Sequence, residues 1–266
     1  MKLYSSTKSL SCFITSLLLS VIFSHSVLSK TIDNQVNNKP LRIAVASNFT
    51  PALKKLLIDF HQHTNISTQI ISGATGAMFI QIQHGAPFDI FFAADSIRPK
   101  ELERQGLIAT DSRHTYAKGQ LAFLSINSEE TLTDFKKSSQ ESQPRFAIAN
   151  PDTAPYGKAA RETLEYLGLW QQYKPKLIIG MNINQTFAQI RTQAVSRGLV
   201  ANSQLVLNDL PGIIIPSNYH QPIEQQLVIL KNSTNIDKAQ HLIDYLLSPA
   251  IQQKIVSFGY AEVEQH

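Results

Sequence analysis

The chain has 266 residues, 43% hydrophobic and 17% charged, a composition ordinary for a soluble globular protein with one large or two modest cores. Its formal charge of +4 is small, and no run of Lys and Arg offers a surface for nucleic acid or an anionic membrane. The single cysteine, Cys12, excludes a disulfide framework and a thiolate metal site.

In chain order, Lys2 and Lys8 give a positive start, residues 12–23 an apolar stretch, and Val27-Leu28-Ser29 a place for a signal peptidase to cut. The apolar stretch is too short and interrupted to span a bilayer permanently. Residues 1–29 therefore read as an export signal cleaved near Ser29. Cys12 precedes most of the apolar stretch, whereas a lipid-modified cysteine would follow it. Losing both lysines and no acid would leave a cysteine-free protein of charge +2. Its stability must then come from core burial.

Residues 30–40 are a polar leader, and 41–46 a buried strand. Thr50 is placed to cap a helix with Pro51 in its first turn, and Leu53, Leu56, Leu57 and Phe60 fall on one face. A strand at 68–72, a helix at 76–84 stopped by Gly85, a strand at 89–93 and a helix at 98–105 stopped by Gly106 follow. The second batch has strands at 121–125 and 146–149, a helix at 156–167 closed by Gly168, a strand at 177–179 and a helix at 183–196. Short strands at 199–201, 213–215 and 227–230 precede two final helices, 236–247 and 249–258. Strands alternating with helices in two batches predict two α/β units with mostly parallel sheets.

Five stretches at strand ends are rich in hydroxyl, amide and glycine residues and contain no Lys, Arg or His. They are 46–50, 72–76, 150–157, 182–185 and 201–203. Ligands of open α/β sheets bind beyond the carboxyl ends of strands. Helix starts there present unpaired N–H groups and partial positive charge, so several together can hold an anion without a basic side chain.

Other chemistries lack their residues. Gly73 and Gly76 have neither the Lys-Ser/Thr of a nucleotide phosphate loop nor a third glycine. His61 and His63 stand two apart on a helix and face different directions, so no metal site is expected. No Gly-x-Ser-x-Gly elbow occurs. Asp89 and Asp95 flank a strand and read as backbone caps, and Trp170 as packing or a surface plug.

The ordered set Ala46-Ser-Asn-Phe-Thr50, Ser72-Gly-Ala-Thr-Gly76, Gly85-Ala-Pro-Phe-Asp-Ile-Phe-Phe-Ala-Ala-Asp95, Asn150-Pro-Asp-Thr-Ala-Pro-Tyr-Gly157, Asn182-Ile-Asn-Gln185 and Gly259-Tyr260 resembles the periplasmic molybdate-binding proteins of ABC importers, across residues 41–262. The resemblance implies a two-lobed α/β type II periplasmic binding protein. Residues 30–115 and 224–266 would form one lobe and 116–223 the other, with hinges near 115–121 and 221–226. It further implies that Ser47 and Asn48, Thr75, and the backbone N–H groups of Tyr156 and Ile183 hold the anion. Gly76, Asn182 and Asn202 in the same loops join the candidates. Some members place a tyrosine where this chain has Ala201, which leaves that contact missing or supplied by Asn48 or Asn202.

Molybdate is a fully deprotonated tetrahedral dianion and wants donors only. Hydrogen phosphate carries a proton that needs an acceptor, and leaving it unmatched costs about 1–3 kcal/mol, roughly tenfold or more in affinity. Sulfate must be rejected by size, while tungstate should bind as molybdate does. The expectation is a monomeric periplasmic receptor, without a cofactor or catalysis, that delivers molybdate or tungstate to an inner-membrane ABC permease. Its rivals are a receptor for sulfate or another oxyanion, a periplasmic hydrolase of phosphate or sulfate esters, and an adhesin. The hydrolase would need a nucleophile or metal ligands at the strand ends, and the adhesin would leave the loops without purpose.

Overall fold

The structure, a computed structural model, describes residues 39–126, 131–137 and 145–263. The export signal read at 1–29 lies outside them. From Leu41 onward the described chain packs as one unit.

The chain begins with β1 (Leu41–Ala46), α1 (Thr50–Thr64), β2 (Thr68–Gly73), α2 (Thr75–Gln83), β3 (Ile90–Phe92), α3 (Ile97–Arg104) and β4 (His114–Gly119). There follow β5 (Leu121–Ser125), α4 (Leu132–Lys137), β6 (Phe146–Ala149), α5 (Pro155–Tyr166), α6 (Trp170–Tyr173) and β7 (Leu177–Gly180). Next come α7 (Ile183–Arg191), β8 (Arg197–Ala201), α8 (Asn202–Val206) and β9 (Ile213–Ile214). The chain returns through β10 (Ile223–Ile229) to α9 (Ile236–Leu247) and α10 (Pro249–Ser257).

Two five-stranded mixed sheets result, ordered β2-β1-β3-β10-β4 and β7-β6-β8-β5-β9. β1, β2 and β3 are parallel, as are β6, β7 and β8. β10 runs antiparallel to both β3 and β4. This is the α/β architecture that alternating strands and helices predict.

Near-continuous apolar strands such as Leu41–Ala46 and Phe146–Ala149 are buried because helices cover both faces of each sheet. On α1, Leu53, Leu56, Leu57 and Phe60 are all buried, each contributing roughly 1.5–3 kcal/mol. A separate apolar cluster gathers Ala46, Ala74 and Ala94 of the first sheet's loops with Ala149, Ala154, Tyr156 and Ile183 of the second's. The carboxyl ends of the two parallel strand sets therefore meet.

Some local expectations change. Thr50 is the first residue of α1 rather than its cap, and its hydroxyl pairs with Ser72 Oγ at 2.7 Å. The helix expected at 183–196 ends at Arg191, with Gln193 left-handed at φ 60° just beyond. The segment 115–121 lies mostly within β4, paired with β10, and only Gln120 separates β4 from β5. β10 begins at Ile223, earlier than the expected 227, and is irregular between Gln225 and Gln226.

Candidate functional site

β1 and β2 end in register, Ala46 opposite Gly73, and β6 and β7 likewise, Ala149 opposite Gly180. One further bond continues each ladder into the loops: Ser47 N donates to Gly73 O at 2.9 Å and Asn150 N to Gly180 O at 2.8 Å. Four loops thus leave two sheets at matched levels. Helices of at least eight residues start from all four, at Thr50, Thr75, Pro155 and Ile183.

These starts leave donors unused. Among the described residues the N–H groups of Asn48, Thr75, Tyr156 and Ile183 meet no acceptor. The Ser47 hydroxyl likewise has no partner among them. Thr75 Oγ1 accepts from Ala94 N at 3.1 Å, which leaves its own proton to donate elsewhere. All five residues are nearly buried, none more than 4% exposed. Buried N–H groups without partners are rare in folded proteins and call for a ligand or ordered water. Neutral donors at helix starts favour a negative charge there.

The structure separates the remaining candidates. Gly76 N donates to Thr153 O at 2.8 Å, tying the second loop to the third instead of facing a ligand. Asn182 caps α7, its Oδ1 accepting from Gln185 N at 3.0 Å, and so orients the N–H of Ile183. Asn202 is committed elsewhere: Nδ2 serves Gln120 Oε1 and Gly259 O, each at 3.2 Å, and its N–H serves Gln120 O at 2.9 Å. It cannot replace a contact missing at Ala201.

Several residues that hold the loops carried no signal in the sequence. Gln204, 2% exposed, accepts from Ala201 N at 3.1 Å and donates to Ile183 O at 3.3 Å and Asn184 Oδ1 at 2.8 Å. Gln225 and Tyr260 hydrogen-bond Asn48 from 177 and 212 residues away, and Tyr116 in turn bonds Gln225, contacts invisible in local pattern. Burial pushes the phenols of Tyr116, Tyr156 and Tyr260 well above the ordinary tyrosine range, so they stay neutral donors.

A cation, Arg98, does approach the second and third loops. Arg98 pairs with Asp95 and gives Nη2 to Asp152 O at 3.1 Å, close to Gly76. Its charge is balanced by the Asp95 carboxylate. Asp95 also accepts from Arg98 N at 3.0 Å, and Asp89 from Arg42 N at 2.7 Å, so both aspartates cap backbone. Trp170 is half-buried under the Arg161 guanidinium, 5.2 Å from its ring centre.

A groove of about 590 Å³ runs between the two sheets' loops, but none of Ser47, Asn48, Thr75, Tyr156 or Ile183 lines it. Its carboxylates, Asp95, Glu101, Asp152, Glu162 and Glu224, outnumber Arg98 and Lys158. It suits an oxyanion poorly. Among the described residues no group of three or more His, Cys, Asp or Glu side chains could hold a metal ion.

Residues 41–261 match the family model described as bacterial extracellular solute-binding protein. The molybdate-binding protein ModA of Azotobacter vinelandii is 36% identical over 224 residues, which cover 83% of this chain and 89% of that one. ModA of Rhodobacter capsulatus is 33% identical over 218 residues, covering 82% and 86%. Among solved structures, the periplasmic molybdate-binding protein of Azotobacter vinelandii superposes with a TM-score of 0.79 at 29% identity, over 84% of this chain and 100% of that one. The sulfate-binding protein SubI of Mycobacterium tuberculosis gives a TM-score of 0.70 over 85% and 88% of the chains. At 10% identity this is a likeness of fold alone.

Proposed function

Because the chain belongs to the bacterial extracellular solute-binding protein family, we propose that it captures molybdate as a tetrahedral dianion and delivers it to an ABC importer. The observation that carries this reading is the set of buried, unpaired donors on four loops of two sheets. The proposed shell is the hydroxyls of Ser47 and Thr75 and the N–H groups of Asn48, Thr75, Tyr156 and Ile183. The set offers donors and no carboxylate, which suits a fully ionised oxyanion and penalises one that carries a proton. Tungstate, with the same charge and shape, should bind too. Binding to loops of both sheets at once favours the arrangement that brings them together.

The receptor works as a monomer in the periplasm, after loss of residues 1–29, and performs no chemistry. Intact-mass analysis of the periplasmic fraction should show a product shorter by about 29 residues, a length usual for such signals; full-length protein in the membrane would contradict export. Function is tested by thermal unfolding with added anions. A ligand at 100 times its dissociation constant adds about 2.7 kcal/mol of stability. Molybdate and tungstate should raise the melting temperature and phosphate should not. Equal stabilisation by phosphate would overturn the donor-only argument.

A further inference from the structure

Gln225 lies on β10, the strand by which the chain returns to the first sheet, and is fully buried. A buried primary amide costs free energy unless its hydrogen-bonding groups are matched. Here Oε1 accepts from Asn48 Nδ2 at 2.8 Å and from Tyr116 OH at 3.0 Å. Nε2 donates to Tyr156 OH at 3.2 Å. One side chain therefore holds a residue of the first loop and a residue at the start of α5, on the other sheet's side. Those two residues supply N–H groups to the proposed shell from opposite halves.

The space for this contact is reserved by sequence. A Cβ on Gly119 would stand 2.4 Å from Tyr156 OH and 2.8 Å from Gln225 Nε2. Gly119 shows no left-handed backbone, so the close approach of these two side chains explains the glycine. The irregularity of β10 at Gln225 and Gln226 sits at the same point.

We propose that Gln225 is a positioning residue of the oxyanion site, coupling its two halves by holding Asn48 and Tyr156 at once, with Gly119 as the gap that permits the contact. The inference rests on reading the loops as an oxyanion site. Since Gln225 touches both halves only while they are together, its contribution should appear in the rate at which bound anion leaves.

The test is a chase of labelled molybdate from the mature protein by excess unlabelled molybdate. Gln225→Met keeps the volume and removes all three bonds. It should release the anion about tenfold faster, the effect of roughly one hydrogen bond left unmade. Tyr156→Phe should cost less in the Gln225→Met background than in the wild type, because its bond with Gln225 is already gone. If Gln225→Met fails to fold, Gly119→Ala displaces the same two groups without deleting either, and it should also speed release. A lower melting temperature with an unchanged release rate in the folded protein would show a purely structural amide and overturn the proposal. Wild-type protein that retains no labelled molybdate would overturn the functional reading instead.

Discussion

The phenol of Tyr260 donates to the main-chain carbonyl of Asn48 at 3.1 Å, across 212 residues of chain. On the other side of Asn48, the Ser47 carbonyl accepts from Thr50 N at 3.3 Å. Both peptide planes flanking Asn48 are thus fixed by the protein, and its N–H points where the fold dictates. Fixing a donor before the ligand arrives removes an ordering cost from binding. Tyr260 reaches this position because Gly259 adopts φ +91°, where a Cβ would stand 2.8 Å from Val206 Cγ2.

Tyr260→Phe should therefore weaken molybdate binding although the residue need not touch the ion. The expected loss is about 1 kcal/mol, that of one neutral hydrogen bond. Titration calorimetry checks it. An unchanged affinity would show that Asn48 is held well enough without the phenol.

Ser47→Ala and Thr75→Ala should each cost about 1.5–3 kcal/mol in affinity, the range for hydrogen bonds to a charged group. Tyr156→Phe should cost no more than about 1 kcal/mol, because the backbone N–H survives and what is lost is the phenol's neutral bonding with Gln225 and Asn48. Comparing the three dissociation constants separates side-chain from main-chain recognition. If Tyr156→Phe were as damaging as Ser47→Ala, the phenol would be a direct ligand.

Gly157→Ala should disrupt the third loop. Its Cβ would stand 2.3 Å from Ala149 O and 2.6 Å from Asn150 O, both main-chain atoms that cannot swing aside. The expected destabilisation is about 1–3 kcal/mol in urea unfolding, with weakened anion binding as the adjacent N–H of Tyr156 shifts. Wild-type stability in this variant would mean that the loop yields freely.

The buried phenols set an alkaline limit. Burial raises the folded-state pKa of Tyr116, Tyr156 and Tyr260 above the ordinary value near 10, so the folded state holds these protons more tightly than the unfolded chain does. Their contribution is complete below about pH 10 and is lost as pH rises beyond it. Urea midpoints should fall above about pH 10, and less steeply in Tyr116→Phe. A wild-type midpoint that rises there would contradict the assignment.

Much of this was legible in residue order. The strands at 41–46, 121–125 and 146–149 and the helix at 236–247 stand where apolar runs and helical spacing put them, because burial on both faces or on one stripe leaves a local record. The donor loops were legible for the same reason, since neutral residues between a buried strand and a helix start are a local pattern. β4 was not, because His114–Gly119 mixes polar and apolar residues and owes its strand to pairing with β10, over a hundred residues away. Nor could local pattern distinguish Asn48 from Asn202. The two carry the same amide, and only the fold sets one against Gln225 and Tyr260 and the other against Gln120 and Gly259.

The proposed site, built of unpaired donors on four loops, takes a fully ionised tetrahedral oxyanion of molybdate size. Calorimetric titration of the mature protein with molybdate, tungstate, sulfate and phosphate tests it most directly. One molybdate or tungstate should bind per chain, sulfate much more weakly, and phosphate should give no measurable heat. Phosphate or sulfate binding as tightly as molybdate, or molybdate not binding at all, would contradict it.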